Sequence, residues 1–181
     1  MVVGVYGGSF NPPHVGHALV AGWLGWTGRV DAVWLVPTFE HAFAKPLAPW
    51  EARLAACEAL ARAVGPHVSV VPIERELPTP SYTIRTLDAL AARHPQHQLR
   101  LVVGADVRSQ LGEWRDWPRI EVDYPPIIVG RAGYPEVDGV PTFPGVSSSE
   151  VRARLQRGAP VDALVPAGVL AVWRAAGLVG P

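Results

Sequence analysis

The sequence predicts a doubly wound α/β layer of about five parallel strands, with helices on both faces, in a single domain spanning residues 1–181. Short apolar runs alternate along the chain with helical patterns. The runs are continuously apolar rather than alternating, which is typical of parallel strands buried on both faces. No internal repeat or low-complexity tract divides the 181 residues, a length that suits one sizeable core.

Apolar runs and the patterns between them define the expected elements in order. Strands are predicted at 2–6, 32–36, 68–73, 99–103 and 127–131. Helices are predicted over 18–26, from Trp50 to Val64, and over 164–178 near the end of the sequence. One further helix is predicted to end near His94, and another to begin after Ser149. Ser81 or Thr83 is expected to cap the helix that ends near His94. Each strand is thus followed by a crossover, as a parallel sheet requires.

Composition excludes several classes of function. Sixteen Lys and Arg residues balance sixteen Asp and Glu residues, which argues against a general nucleic-acid or membrane-surface binder. The single cysteine, Cys57, excludes an intrachain disulfide and a thiolate metal cluster and suits a reducing compartment. No apolar run approaches ~18 residues and no signal-peptide pattern opens the chain, so we expect a cytoplasmic protein. The sequence does not fix the oligomeric state and is compatible with a homo-oligomer.

The first chemical motif runs from Gly7 to His17, between the first strand and the first helix. Gly7 and Gly8 allow the backbone to approach a ligand, and the N–H groups that open the helix attract an anion. His14 and His17 add side-chain donors on the same side. Either histidine alone could be a structural cap, but the pair with the glycines favours a phosphate site.

The second motif places three serines, Ser147, Ser148 and Ser149, before a helical pattern that carries Arg152 in its first turn. Serines here supply an N-cap, hydroxyl donors and free N–H groups, and the arginine adds a phosphate-binding fork. Alone, the segment would be only a cap. Together, the two motifs are explained by one nucleoside triphosphate held between them.

Other candidates follow the predicted strands or lie in loops. Asp106, after Gly104, is expected at the carboxyl edge of the sheet, where it could accept from ribose hydroxyls, position a metal, or cap a helix. Arg131 is expected to emerge at the same edge. Lys45, the only lysine, lies in a proline-flanked loop and is either a phosphate contact or an ordinary solvated side chain.

Gly-Gly-Ser-Phe-Asn-Pro-Pro-His-Val-Gly-His at 7–17 resembles the signature of the His-x-Gly-His nucleotidyltransferase superfamily, and within it the nicotinate or nicotinamide mononucleotide adenylyltransferases. Three later segments are similar to the same family: Ser-Tyr-Thr-Ile-Arg-Thr-Leu at 81–87, Leu-Gly-Glu-Trp-Arg-Asp-Trp at 111–117 and Ser-Ser-Ser-Glu-Val-Arg at 147–152. Arg85 stands where many members carry an acidic residue. The resemblance covers nearly the whole chain.

The resemblance implies a Rossmann-like enzyme that transfers the adenylyl group of ATP to nicotinate mononucleotide and releases pyrophosphate. It implies catalytic roles for His14, His17 and Arg152, and Mg²⁺ bound mainly through the ATP phosphates. The implied ATP contacts are Gly7, Gly8, Ser9, Phe10, His14, His17, Gly104, Asp106, Arg131, Ser147, Ser148, Ser149 and Arg152. The implied mononucleotide contacts are Asn11, Lys45, Arg53, Thr86 and Trp114, with the indole of Trp114 stacked on the pyridine ring and Trp117 structural.

Three alternatives remain from the sequence. A related transferase could use another phosphate acceptor, such as phosphopantetheine or a sugar-alcohol phosphate. A nucleotide-binding sensor could keep the fold and bind ATP without catalysis. A dinucleotide-binding redox domain is disfavoured because the Gly-x-Gly-x-x-Gly spacing is absent.

Overall fold

The computed structural model describes residues 1–40 and 46–179. Six parallel strands form one sheet in the order β3-β2-β1-β4-β5-β6. Their bounds are Val2–Gly8 (β1), Ala32–Pro37 (β2), Val68–Val70 (β3), Gln98–Gly104 (β4), Ile127–Arg131 (β5) and Thr142–Phe143 (β6). This is the strand order of a doubly wound sheet, so the predicted fold is confirmed.

Six α-helices occur in the described part of the chain. They are Val15–Trp26 (α1), Trp50–Val64 (α2), Thr83–Arg93 (α3), Trp117–Asp123 (α4), Ser148–Gln156 (α5) and Ala167–Ala175 (α6). Two 3-10 helices, Ile73–Glu76 and Ala105–Glu113, connect the strands to α3 and α4. No helix among the described residues combines the length and the apolar character that crossing a membrane requires.

Successive residues of the inner strands pack on opposite faces of the sheet. Val33 and Leu35 of β2 pack with α1, α2, α5 and α6, whereas Trp34 and Val36 pack with α3 and α4. Both faces of a buried strand contact the core, so its successive residues are all apolar and the sequence carries continuous apolar runs. The two cores hold the inner strands rigidly and fix where they end.

The structure corrects three details of the prediction. There are six strands rather than about five, because the two-residue β6 lies in a proline- and glycine-rich stretch. The predicted third strand stops at Val70, and its last residue, Ile73, opens a 3-10 helix. Neither Ser81 nor Thr83 caps α3, whose preceding residue is Tyr82 and whose first turn receives no side-chain cap.

The carboxyl edge of the sheet gathers the two sequence motifs. β1 lies between β2 and β4, and the crossovers leave it in opposite directions, which opens a crevice above its carboxyl end. Here α1 starts, and α5 starts beside it: the Ser148 hydroxyl donates to the carbonyl of Pro12 at 2.8 Å. The two helix N-termini therefore flank one crevice.

Candidate active site

A cavity of about 700 Å³ occupies this crevice. Glycine-rich backbone at the ends of β1 and β4 forms its floor, and α1, α3, α5 and the 105–113 helix form its walls. Twelve sequence-predicted residues line it: Gly7, Gly8, Ser9, Phe10, His14, His17, Gly104, Asp106, Arg131 and Ser148, with Thr86 and Trp114 at its other end. Its size suits a small molecule of nucleotide dimensions.

His14 and His17 lie together at the start of α1. His14 precedes the helix and His17 is its third residue, so the two rings face each other with centroids 3.9 Å apart. The backbone N–H of His14 donates to Nδ1 of His17 at 3.1 Å. A ring nitrogen that accepts carries no proton, so neutral His17 holds its proton on Nε2, which is then available to a ligand.

Burial keeps both imidazoles neutral at pH 7. It lowers the pKa of His14 to about 4, with a further contribution from the nearby Arg131 guanidinium. Burial, His14 and Arg131 together lower the pKa of His17 well below its usual value. A neutral imidazole next to Arg131 can donate one directed hydrogen bond to an anion without adding a buried charge.

These pKa shifts predict acid sensitivity. The unfolded chain binds protons at its histidines below about pH 6.5, whereas folded His14 does so only near pH 4, so the free energy of unfolding falls with pH in this window. From pH 7 to pH 5, His14 alone should contribute a loss of about 2 kcal/mol. Urea unfolding of wild type and His14→Gln at pH 7 and pH 5 tests this. The fall in the free energy of unfolding between the two pH values should be smaller in His14→Gln by that amount. An equal fall in both proteins would contradict the prediction.

Gly16 gives the His14 ring its space. A Cβ atom built at Gly16 would lie 3.1 Å from both Cε1 and Nδ1 of His14. Phe10 supports the other ring, since its buried side chain lies 4.9 Å from His17 between ring centroids. The glycine and the phenylalanine of the first motif thus position the two histidines.

The start of α5 exposes backbone donors to the same crevice. The Ser147 hydroxyl caps the helix by accepting from the N–H of Glu150 at 3.1 Å. Within the described chain, the N–H groups of Ser148 and Ser149 have no acceptor. Arg152 donates to the carbonyl of Asn11 at 2.6 Å and to the Ser149 hydroxyl at 3.2 Å. Of these residues Ser148 lines the cavity, whereas Ser147, Ser149 and Arg152 are not part of its lining.

Asp106 and Arg131 form an ion pair on the cavity wall. Nη1 of Arg131 contacts the Asp106 carboxylate at 2.5 Å, and Nη2 donates to the carbonyl of Val146 at 2.9 Å. Both side chains are about one quarter exposed, at 25% and 26%. Asp106 therefore orients Arg131 rather than capping the 105–113 helix, which starts after Gly104 without a side-chain cap. A side chain at Gly104 would collide with the Asp106 carboxylate.

At the opposite end of the cavity a buried carboxylate holds Thr86. The Thr86 hydroxyl donates to Oε1 of Glu74 at 2.9 Å, and the N–H of Phe39 donates to Oε2 at 3.1 Å. Burial raises the pKa of Glu74, although these hydrogen bonds and Arg53 oppose the rise. Because its proton points at Glu74, Thr86 offers a lone pair to the cavity.

One tryptophan closes this end and a second supports it. Trp114 lines the cavity, and Trp117 packs edge-on against it with ring centroids 6.2 Å apart. Trp117 does not reach the cavity wall.

Asn11 and Arg53 are buried and do not line the cavity. Asn11 is 3% exposed, accepts from the N–H of Ala48 at 3.1 Å and donates to the carbonyl of Pro46 at 3.4 Å. Arg53 is 1% exposed and donates to the carbonyls of Ser9, Thr38, Phe39 and Ala48 at 2.6–3.4 Å. In this state both side chains join loops to each other. Lys45 lies outside the described residues.

Several wall residues were not singled out in the sequence. Tyr6, Glu74, Tyr82 and Arg115 line the cavity. Tyr6 is packed against Phe10 and His17, and burial raises the pKa of its phenol. A polar residue inside the otherwise apolar first strand was the available signal for Tyr6. Glu74 comes to the site through tertiary folding and has no local signature.

Carboxylates do not cluster at the cavity. Within 1–40 and 46–179, no group of three His, Cys, Asp or Glu side chains has a geometry that could hold a metal ion. Asp106 is already paired with Arg131, and Glu74 with Thr86 and a backbone N–H. This donor set suits a cation that keeps most of its ligands on a bound phosphate.

Comparisons with known proteins agree with this geometry. Residues 5–154 match the cytidylyltransferase-like family. The chain is 48% identical to a probable nicotinate-nucleotide adenylyltransferase of Anaeromyxobacter sp. (strain K), over 93% of this chain and 91% of that protein. It is 40% identical to another of Myxococcus xanthus, over 98% of this chain and 94% of that protein.

A solved structure with the same fold is the Plasmodium falciparum nicotinic acid mononucleotide adenylyltransferase complexed with NaAD. It aligns with a TM-score of 0.83 at 16% identity, over 98% of this chain and 96% of that one. Identity of 40–48% over nearly the full length and the matched family thus coincide with a cavity that residues of both sequence motifs line. The chain belongs to the cytidylyltransferase-like family and, within it, to the nicotinate-nucleotide adenylyltransferases.

Proposed function

We propose that this protein transfers the adenylyl group of ATP to nicotinate mononucleotide, giving nicotinate adenine dinucleotide and pyrophosphate. A phosphate oxygen of the mononucleotide bonds to the α-phosphorus of ATP as the bond to the bridging oxygen of the β-phosphate breaks. The observation that carries the proposal is one cavity with two helix N-termini at one end and Thr86 with Trp114 at the other. No protein nucleophile is needed, since the acceptor phosphate is already anionic.

The histidine end would stabilise the transferring phosphate. His14 and His17 are neutral, adjacent and supported by Gly16 and Phe10, so they can donate to phosphate oxygens without reorganising. Arg131 adds a fixed positive charge beside them. These groups supply positioning and charge stabilisation rather than covalent chemistry.

The serine helix would hold the leaving pyrophosphate. The free N–H groups of Ser148 and Ser149 open α5, and Arg152 lies one turn along. In the structure Arg152 donates to the Asn11 carbonyl, so its guanidinium already lies beside the first motif. A triphosphate lying between α1 and α5 would take donors from both helices.

The other end would receive the pyridine ring. Trp114 offers an indole face to the electron-poor ring, a contact worth ~1 kcal/mol beyond burial. Thr86, fixed by Glu74, lies on the facing helix.

Mg²⁺ would be bound mainly through the ATP phosphates, since Asp106 and Glu74 are already paired and no group of side chains among the described residues could hold a metal ion alone. Bound there, it would neutralise the triphosphate charge. We place the reaction in the cytoplasm, which suits a chain whose one cysteine is buried and unpaired.

Pyrophosphate release tests the proposal. The protein, ATP and Mg²⁺ would be mixed with nicotinate mononucleotide, nicotinamide mononucleotide or phosphopantetheine in separate reactions. We expect release with nicotinate mononucleotide. Release only with phosphopantetheine would indicate a related transferase, and ATP binding without release in any reaction would indicate a nucleotide sensor.

A further inference from the structure

Two arginines contact the same tyrosine near the pyridine end of the cavity. The guanidinium carbons of Arg85 and Arg115 each lie 5.0 Å from the centroid of the Tyr82 ring. Tyr82 immediately precedes α3, Arg85 lies in the first turn of that helix, and Arg115 follows Trp114. Cation–π contact with a ring holds a flexible cation near one position.

Of the two, Arg115 reaches the cavity wall. It lies beside Trp114 in the lining, while its nearest carboxylate, Asp116, is 4.0 Å away and 59% exposed. An exposed pair at that distance leaves the guanidinium charge largely uncompensated.

Two carboxylates also line this part of the cavity, and they differ from Arg115 in how they are held. Glu74 is buried, accepts two hydrogen bonds and lies near the Arg53 charge, so its field is offset. Glu113 is exposed, and no hydrogen bond or ion pair fixes it within the described chain. Arg115 is therefore the positioned charge at the pyridine end.

We propose that Arg115, held over Tyr82 beside Arg85, is a specificity-determining residue that favours an acceptor ring bearing a carboxylate over one bearing a neutral amide. The inference rests on the proposed function, because it assigns the ring end of the acceptor to Trp114. Nicotinate and nicotinamide mononucleotides differ at one ring substituent, which is charged in the first and neutral in the second. A cation beside the stacked ring acts on that difference alone.

The size of the effect follows from exposure. The Arg115 side chain is 53% exposed, so water and salt screen its field. A charge contact of this kind changes an affinity ratio by roughly two- to fivefold, and added salt reduces it.

The experiment measures kcat/KM for both mononucleotides in wild type, Arg115→Gln and Arg115→Lys, at low and high salt. Arg115→Gln should lower the nicotinate-to-nicotinamide ratio of kcat/KM about two- to fivefold, and Arg115→Lys should keep most of the wild-type ratio. Added salt should lower the wild-type ratio and leave that of Arg115→Gln unchanged. Arg108→Gln is the matched control, since it removes an exposed arginine from the 105–113 helix outside the cavity lining.

The outcomes separate two kinds of failure. An unchanged ratio in Arg115→Gln, or an equal fall in Arg108→Gln, would overturn the inference while the adenylyltransferase reaction stands. A nicotinate-to-nicotinamide ratio of kcat/KM that does not change with salt in wild type would also overturn the inference. A wild type that uses neither pyridine mononucleotide would overturn the proposed function and this inference with it.

Discussion

Replacing His17 with alanine should lower kcat about 100- to 1000-fold while the dissociation constant for ATP changes less than about threefold. The backbone N–H of His14 occupies Nδ1 of His17, so the Nε2–H is the donor that remains for the transferring phosphate. Its hydrogen bond should strengthen as charge builds on the phosphate oxygens in the transition state. Ground-state ATP binding draws on donors from two helices and should depend less on this one.

The measurement is kcat from pyrophosphate release, alongside ATP binding by calorimetry with no acceptor present. His17→Asn separates an effect on chemistry from an effect on folding, because its amide oxygen can still accept from the His14 N–H. This variant should be as stable as wild type but have a kcat as low as that of His17→Ala. If turnover and ATP affinity fell by the same factor in His17→Ala, a transition-state role for His17 would be wrong. His94→Ala, which removes an imidazole at the end of α3, serves as the control.

Replacing Arg53 with leucine should lower the free energy of unfolding by about 3–5 kcal/mol with no nucleotide present. The guanidinium satisfies four backbone carbonyls from the loops after β1 and β2 and the turn before α2. Leucine would leave those buried acceptors without donors and would remove the cation that faces Glu74. Lysine has too few donors in the wrong geometry and should recover only part of the loss.

Urea unfolding of the ligand-free protein measures this effect. Arg62→Leu, an exposed position on the same helix, should change stability by less than about 0.5 kcal/mol. The comparison also decides what Arg53 does. A large loss of stability without nucleotide would indicate a structural role, whereas normal stability with a raised KM for nicotinate mononucleotide would indicate a binding role.

The order of the elements could be predicted because each inner strand and each long helix carries its own pattern. Hydrophobic periodicity did not predict β6, because Thr142–Phe143 is too short to show a pattern. It also missed the first residues of α1, where a cap extends the helix beyond its apolar pattern. The helix begins at Val15, three residues before the apolar periodicity, because His14 and His17 close its first turn.

The residues of the candidate site also fall into two groups, those that a local sequence pattern predicts and those whose partners are distant in sequence. The histidines and serines could be predicted, since adjacent residues form their donor sets. Glu74 could not, because its partners Phe39 and Thr86 lie 35 and 12 positions away. For Arg53 the sequence shows a donor but not its acceptors, so it cannot distinguish a ligand contact from a loop anchor.

The contacts between the two phosphate motifs also bear on how the protein is made. Arg152 bonds to Asn11 across 141 positions, and Ser148 bonds to Pro12 across 136. On a ribosome, β1, α1 and β2 emerge and can pair early, because they are neighbours in sequence. The serine helix is synthesised more than a hundred residues later, although the entropic cost of closing the intervening loop rises only slowly with its length. The two motifs can therefore come together only after α5 has been synthesised, so under the proposed function a shorter nascent chain lacks the second set of phosphate donors.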